Sequence, residues 1–297
     1  MKNSTKIFLV LIVVIGLFAI FLTVILSKGV GVREGFDLSG PGDKVAIVRL
    51  EGTILSSDKI ISYLKQVADN KSVKAIVLRI DSPGGGVAAS QEIYEEVRNI
   101  SSSVKPVVVS MGSIAASGGY YVSCAATKIV ANPGTITGSI GVIAMFPNYS
   151  RLMEKLGLGM NVIKSGEYKD SGSPFRAMTE ADRKYFQNVV NDSYSQFLDA
   201  VASARKLSPE KLKAYADGRV FTGREALKLG LVDTLGSLQD AIKLAAKLGG
   251  IKGKPIVVEE RKPTTLFDIL FGDKFANLHL LEKDFLEQPV LQYKMVQ

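Results

Sequence analysis

Two glycine-rich turns carry the residues with the most chemical promise. DSPGGGV (81–87) and MGSIAASGGYY (111–121) each follow a run of strand-type apolar residues. Consecutive glycines leave backbone N–H groups unshielded, so a developing oxyanion can approach them closely. Ser117 precedes Gly118 and Gly119, at the front of a predicted helix whose terminal N–H groups favour negative charge. A nucleophilic serine there needs a base. The chain holds one histidine, His279, and one cysteine, Cys124, so a Ser-His-Asp triad would have to use a residue near the C-terminus. A Cys-His dyad is not excluded by counting. Otherwise the base is Lys, Asp or Glu, and a lysine amine serves only when its pKa falls from about 10.4 toward 7. Other readings stay open at this point. The glycines suit tight turns, and Ser117 suits a small residue at a close helix–strand crossing. S-x-x-K spacing does not discriminate, because Ser56/Lys59, Ser102/Lys105, Ser203/Lys206 and Ser208/Lys211 all have it.

The same scarcity of His and Cys argues against other chemistry. A zinc site of Cys and His ligands needs three or four of them, and a disulfide within the chain needs two cysteines. No Walker A pattern and no proper G-x-G-x-x-G follow a strand, so no phosphate cradle is expected. Neither a metal nor a cofactor is expected. The net charge is +8, but Lys and Arg are scattered. That reads as a solvated surface near anionic lipid rather than a nucleic-acid groove.

The elements that must position these residues follow from periodicity. KVAIVRLEG from Lys44, AIVLRI (75–80) and PVVVSM (106–111) read as strands, the last two as buried parallel ones. Asp58–Asn70 reads as a helix with Ile60, Ile61, Leu64 and Val67 on one face, and Val87–Ile100 as another. A small-residue helix is expected near Ala115–Ala126, and short strands in KIVANP and ITGSIGVI. Ser150–Leu156 and Glu180–Lys206 are helical in pattern, and Ser208-Pro209-Glu210 starts a helix with Pro at its first position. GRVFTGREALKLGLVD reads as strand, turn, helix, strand, and Leu238–Leu248 as the last helix. Strands alternating with helices predict an α/β fold with a largely parallel sheet. Ahead of it, Ile7–Leu26 is twenty uncharged residues, long enough to span a bilayer as one transmembrane helix. Lys2 and Lys6 before it place the N-terminus in the cytoplasm. No small-x-small cleavage site follows, which favours an uncleaved anchor over a signal peptide. The expected organisation is an anchor (1–28), a linker (29–43), one α/β domain (44–260) and a tail (261–297) without an assigned role.

Taken in order, DSPGGGV, MGSIAASGGYY, NPGTITGSIGV, SGEYKDSGSPFR and DGRVFTGREALKLGLVD resemble the short bacterial form of signal peptide peptidase A. That family is a membrane-anchored serine protease with a Ser-Lys dyad, on the fold shared with Clp proteolytic subunits and crotonases. The resemblance runs from about Lys44 to Leu248 and includes the anchor. It implies Ser117 as nucleophile, Lys169 in GEYKD as general base, and Ser139 in TGSIGV as the hydroxyl that orients the lysine. It implies an oxyanion hole from the N–H of Gly118 and one of Gly84 or Gly85. Lys164 is the rival base, expected on an exposed strand before the loop. The resemblance further implies leftover signal peptides as substrates at the cell membrane, with the catalytic domain outside the cytoplasm. It also implies a homo-oligomer in which neighbouring subunits share each site. Extended substrate would add as a strand near Gly85–Val87. Two alternatives remain: a crotonase-like acyl-thioester enzyme, which would not need Ser117, and a non-catalytic membrane scaffold, in which Ser117 would be inert.

Overall fold

The computed structural model describes residues 13–14, 16–18, 35–261 and 291–294. Most of the expected anchor, the start of the linker, most of the tail and His279 lie outside the described residues. Val13, Val14, Leu17 and Phe18 are helical and exposed. Among the described residues no helix is long and apolar enough to cross a membrane.

The chain divides into two compact units, residues 38–258 with 287–297, and residues 1–37 with 259–286. Of the second unit, residues 13–14, 16–18, 35–37 and 259–261 are described, and its β1 (Gly35–Phe36) pairs antiparallel with Glu260 and Arg261. In the first unit, β2 (Lys44–Glu51), α1 (Asp58–Asp69), β3 (Val73–Ser82), β4 (Gly84–Gly86), α2 (Val87–Ser103) and β5 (Val107–Ala116) come first. Then follow α3 (Gly118–Ser123), β6 (Lys128–Ala131), β7 (Ile136–Gly138), β8 (Ile143–Ala144) and α4 (Ser150–Lys155). A single 3-10 turn, Glu167–Asp170, precedes α5 (Glu180–Arg205), α6 (Pro209–Lys213), β9 (Val220–Thr222), α7 (Gly223–Leu229), β10 (Thr234–Leu235) and α8 (Leu238–Leu248). β11 (Ile256–Arg261) and, after the tail, β12 (Leu291–Lys294) complete the set.

The sheet order β2-β3-β5-β6-β10 is parallel throughout. The fold is therefore mixed α/β with a largely parallel sheet, as the alternation of elements predicts. Both faces of the central strands are covered, which is why they are continuous apolar runs. On one face, Ala241, Ile242, Ala245 and Ala246 of α8 pack on Val45, Ile47, Ala75, Val77, Val108 and Val130. Three helices start with side-chain caps, at Thr179, Thr222 and Ser237, each closed by an acidic residue three positions on.

Three local expectations are corrected. The helix expected over Ala115–Ala126 is shorter, because Ala115 and Ala116 stay in β5 and pair with Thr137 and Gly138 of β7. Here ladder pairing overrides the helix preference of alanine. ITGSIGVI is not one strand, because the chain breaks at Ser139, where φ is 50°. Lys164 is on no strand. Val162 and Ile163 beside it are exposed, and no neighbouring strand pairs with this segment among the described residues.

Candidate active site

β5 ends at Ala116 and α3 begins at Gly118, so Ser117 alone makes the strand-to-helix turn. Its backbone has φ 52° and ψ −115°, a region that costs an L-residue about 1–3 kcal/mol. The surrounding bonds hold it there. Ser117 N–H donates to Gly138 O at 2.8 Å, and Tyr121 N–H donates to Ser117 O at 2.7 Å. Strained turns of this kind recur where a serine nucleophile must be presented at a sheet end. Ser117 is only 1% exposed, and its Oγ makes no hydrogen bond among the described residues. A buried hydroxyl without a partner costs about 1–3 kcal/mol more. Two local costs thus fall on one residue.

β4 crosses the start of α3 at a distance that only hydrogen atoms permit. A Cβ on Gly84 would fall 2.6 Å from Gly118 N, and a Cβ on Gly118 would fall 2.6 Å from Ser90 Oγ. Gly84 also has φ +98°, where side chains are disfavoured. Its own N–H donates to Ser82 Oγ at 3.1 Å, so its bare Cα face, not its N–H, is what opens space beside Gly118. Gly85 faces Ile54 instead, whose N–H donates to Gly84 O and whose carbonyl accepts from Gly86 N–H.

Ser139 leaves β7 directly beside Ser117, because Ala116 pairs with Gly138. It is buried, with φ 50°, and its N–H donates to Arg219 O at 2.8 Å. Backbone pairing therefore brings Ser117, Ser139, Gly84 and Gly118 together. Lys169 is different. It lies on the exposed 3-10 turn, where its N–H donates to Gly166 O at 3.2 Å. Among the described residues its amine has no hydrogen bond or ion pair, and nothing joins it to Ser117 or Ser139.

The turn that carries Lys169 is nonetheless braced. Lys164 Nζ donates to Glu167 O at 2.8 Å and to Asp170 Oδ1 at 2.7 Å. Arg176 reaches Asp170 through Nε (2.9 Å) and Asp182 at the start of α5 through Nη1 (2.5 Å). The Arg176 guanidinium holds both carboxyls well below the usual carboxylate range. Cys124, past Ser117 on the same chain segment, has its thiol pushed up to about 12 by burial. That leaves almost no thiolate near neutral pH.

Residues 291–294 also enter the site. β12 runs antiparallel to β4, with Tyr293 opposite Gly85, and antiparallel to β8, with Gln292 opposite Ile143. Tyr293 is fully buried. Its ring stacks on Tyr121 at 5.2 Å and leans on Phe197 at 4.8 Å, and its hydroxyl donates to Ser193 O at 3.0 Å. No sequence signal marks this role, since it depends on where the tail folds back. Asp81 was also missed. Its carboxylate accepts from Ile114 N–H at 3.1 Å and fixes the bend of β5 that leads to Ser117.

Comparison with known proteins gives the geometry a family. Residues 99–252 match the model of peptidase family S49, and residues 44–135 match that of Clp protease. A Synechocystis sp. protein with a provisional protease name is 45% identical over 225 residues, covering 74% of this chain and 80% of that protein. An Enterococcus faecium protein with a provisional name as the signal peptide peptidase SppA is 37% identical over 216 residues, covering 73% of this chain and 63% of that protein. The chloroplastic serine protease SPPA of Arabidopsis thaliana is 35% identical over 268 residues, which is 84% of this chain and 39% of that protein. The chain spans less than two thirds of the last two. The turn at Ser117, the glycine crossing and the matched span lead to one conclusion: the chain belongs to peptidase family S49 and is a protease of the SppA type.

Proposed function

We propose that the chain is a membrane-anchored serine endopeptidase that degrades leftover signal peptides, with Ser117 as nucleophile and Lys169 as general base. The observation that carries this is the strained, buried and unpartnered Ser117 beside Gly118. The Lys169 amine takes the Ser117 proton, and Oγ attacks a peptide carbonyl. The oxyanion is met by the Gly118 N–H at the head of α3. The lysine then protonates the leaving nitrogen, and water hydrolyses the acyl-enzyme by the reverse roles. Ser139 orients the amine without adding charge.

Lys169 comes from a neighbouring copy. Two features support that reading. Within one chain its amine has no partner among the described residues. The segment around it exposes Leu152, Leu156, Met160 and Ile163, an apolar surface of the kind that another subunit covers. The uncharged stretch Ile7–Leu26 anchors the chain, with the peptidase domain outside the cytoplasm, and the name of the E. faecium relative points to signal peptides.

The test uses the full chain in detergent and a signal-like peptide. Ser117→Ala and Lys169→Ala should each abolish cleavage while folding persists, and mixing the two variants should restore part of it. Undiminished cleavage by Ser117→Ala would sink the proposal, and no cleavage by a wild type whose oligomer is intact would leave the scaffold reading. Absence of complementation would place both residues of a site in one chain. Cleavage should rise with pH as the amine loses its proton, and a flat profile from about pH 5 to 9 would count against a lysine base.

A further inference from the structure

On the face of the sheet that α8 covers, the strands change character partway along. Val45 and Ile47 of β2, Ala75 and Val77 of β3, Val108 of β5 and Val130 of β6 pack under α8. Residues two positions on share that face, and there they are polar: Arg49, Arg79, Ser110 and Asn132. Register sets Arg79 between Arg49 and Ser110. Like charges on neighbouring strands repel, so each gains from a counter-charge. Arg49 has one in Glu51, at 3.4 Å. Arg79 has none: among the described residues no carboxylate lies within ion-pair distance of it.

The Arg79 guanidinium is nonetheless fixed in place. Its Nη1 donates to Ser110 Oγ at 2.9 Å and to Met111 O at 3.0 Å. Nε and Nη2, which form one edge of the guanidinium, hold no partner among the described residues. Asp81, two residues on, is engaged elsewhere. Its Oδ1 accepts from Ile114 N–H at 3.1 Å, and a Cβ on Gly112 would fall 2.6 Å from its Oδ2. Arg79 borders an open pocket of about 440 Å³, lined also by Ser113, Asn132, Gly134 and Ile136. Ser113 Oγ and Asn132 Oδ1 hold no hydrogen bond among the described residues, and Ile136 is exposed. None of Ser117, Ser139, Gly84, Gly118 and Lys169 lines this pocket.

The chemistry of the lining selects the occupant. One guanidinium edge binds a carboxylate through two parallel N–H···O bonds. An amide N–H beside that carboxylate finds acceptors in Asn132 Oδ1 and Ser113 Oγ, and a small side chain finds the apolar surface of Ile136. Phosphate would satisfy the guanidinium but match neither of the other two features. We infer that the Arg79 pocket binds the C-terminal carboxylate of a peptide or N-acylated amino acid, a group that every peptide-bond cleavage creates. Binding there requires no cleavage, so the inference does not depend on the reading of Ser117.

The test measures thermal unfolding of the full chain in neutral detergent at constant ionic strength. The probes are N-acetyl-alanine, its amide and inorganic phosphate, and the proteins are wild type, Arg79→Met, Gly134→Leu and Ser117→Ala. The acid should raise Tm with concentration, the amide should leave it unchanged, and phosphate should act more weakly than the acid. Arg79→Met should raise the acid concentration needed by at least about 10-fold, the loss of a charged hydrogen bond. Gly134→Leu tests the pocket without touching the arginine. A Cβ there meets nothing within 4 Å, so the variant should keep the wild-type Tm and lose the response to acid. Ser117→Ala should respond as wild type does, which separates this pocket from the catalytic serine. Equal responses to acid and amide overturn the inference, and so does an acid response that survives both Arg79→Met and Gly134→Leu. A response lost in Ser117→Ala also overturns it, by placing the acid at the serine. A phosphate response equal to that of the acid overturns the assignment to a peptide carboxylate.

Discussion

The serine side and the lysine side of the candidate site are built in opposite ways. Ser117, Gly118, Gly84 and Ser139 are all buried, and ladder pairing or close backbone contact fixes them. Lys169 sits on an exposed turn that is tied down by ion pairs and by the stacking of Tyr168 on Tyr185 at 5.2 Å. The first arrangement stores strain in a rigid core, where surrounding structure can hold it. The second keeps a cation in water until something covers it. A nucleophile can be pre-assembled in a single chain, whereas a base that needs to lose its charge gains from being buried late.

The largest effect expected from this contrast is at Ser117. Ser117→Ala should lower kcat/KM on a peptide by at least about 10⁴-fold with little change in melting temperature. Peptide cleavage and thermal unfolding measure the two. Gly84→Ala comes next, at about 10²–10³-fold in kcat, because its Cβ would fall 2.6 Å from Gly118 N, whose N–H meets the oxyanion. Gly85→Ala separates the two glycines. Its Cβ would meet Ile54 O at 2.1 Å, so it should lower melting temperature first. If Gly85→Ala instead lost activity with full stability, the serine side would be organised around the wrong glycine.

On the lysine side, Arg176→Ala should reduce kcat by up to about 10²-fold, the cost of misplacing a reacting group by about 1 Å. KM should move little, and Arg176→Lys should rescue only part. The pH dependence separates this brace from the base. Arg176 lowers the folded-state pKa of Asp170 and Asp182, so their stabilising effect is complete above the unfolded value of about 3.9 and is lost as pH falls below it. Activity lost well above that range therefore does not report the brace. A kcat unchanged in Arg176→Ala would mean that the turn is ordered by a neighbouring subunit alone.

The sequence disclosed these two sides unequally. The buried strands were legible because Val and Ile runs such as AIVLRI can only be satisfied between two covering layers. Ser117, Gly84 and Gly118 were visible as types in a suggestive order. The strain at Ser117 was not, since a positive φ depends on the bond from its N–H to Gly138 O. On the lysine side, local pattern misled. Val162, Ile163 and Lys164 have strand character, yet the chain supplies no partner strand and they remain exposed. The tail was illegible for another reason: LQYK has no periodicity that would announce a seat between β4 and β8. Pairing across two hundred residues leaves no local mark.

The smallest effect tests whether the two sides are mechanically separate. Cys124 caps the C-terminal end of α3, the helix that Ser117 starts, and is 5% exposed. Burial pushes its thiol up to about 12, so near pH 8 roughly one molecule in 10⁴ carries the reactive thiolate. A thiol reagent should label the native protein only as fast as the segment opens, and denaturant should release full reactivity. Because raised pKa favours the neutral thiol, labelling should quicken as pH rises. The decisive comparison is with Arg176→Ala. If the serine side is rigid by its own packing, this variant should label no faster than wild type, within about 2-fold. Faster labelling would show that the brace at Arg176 also supports the helix behind Ser117, and the division between a pre-assembled side and a late-covered side would no longer hold.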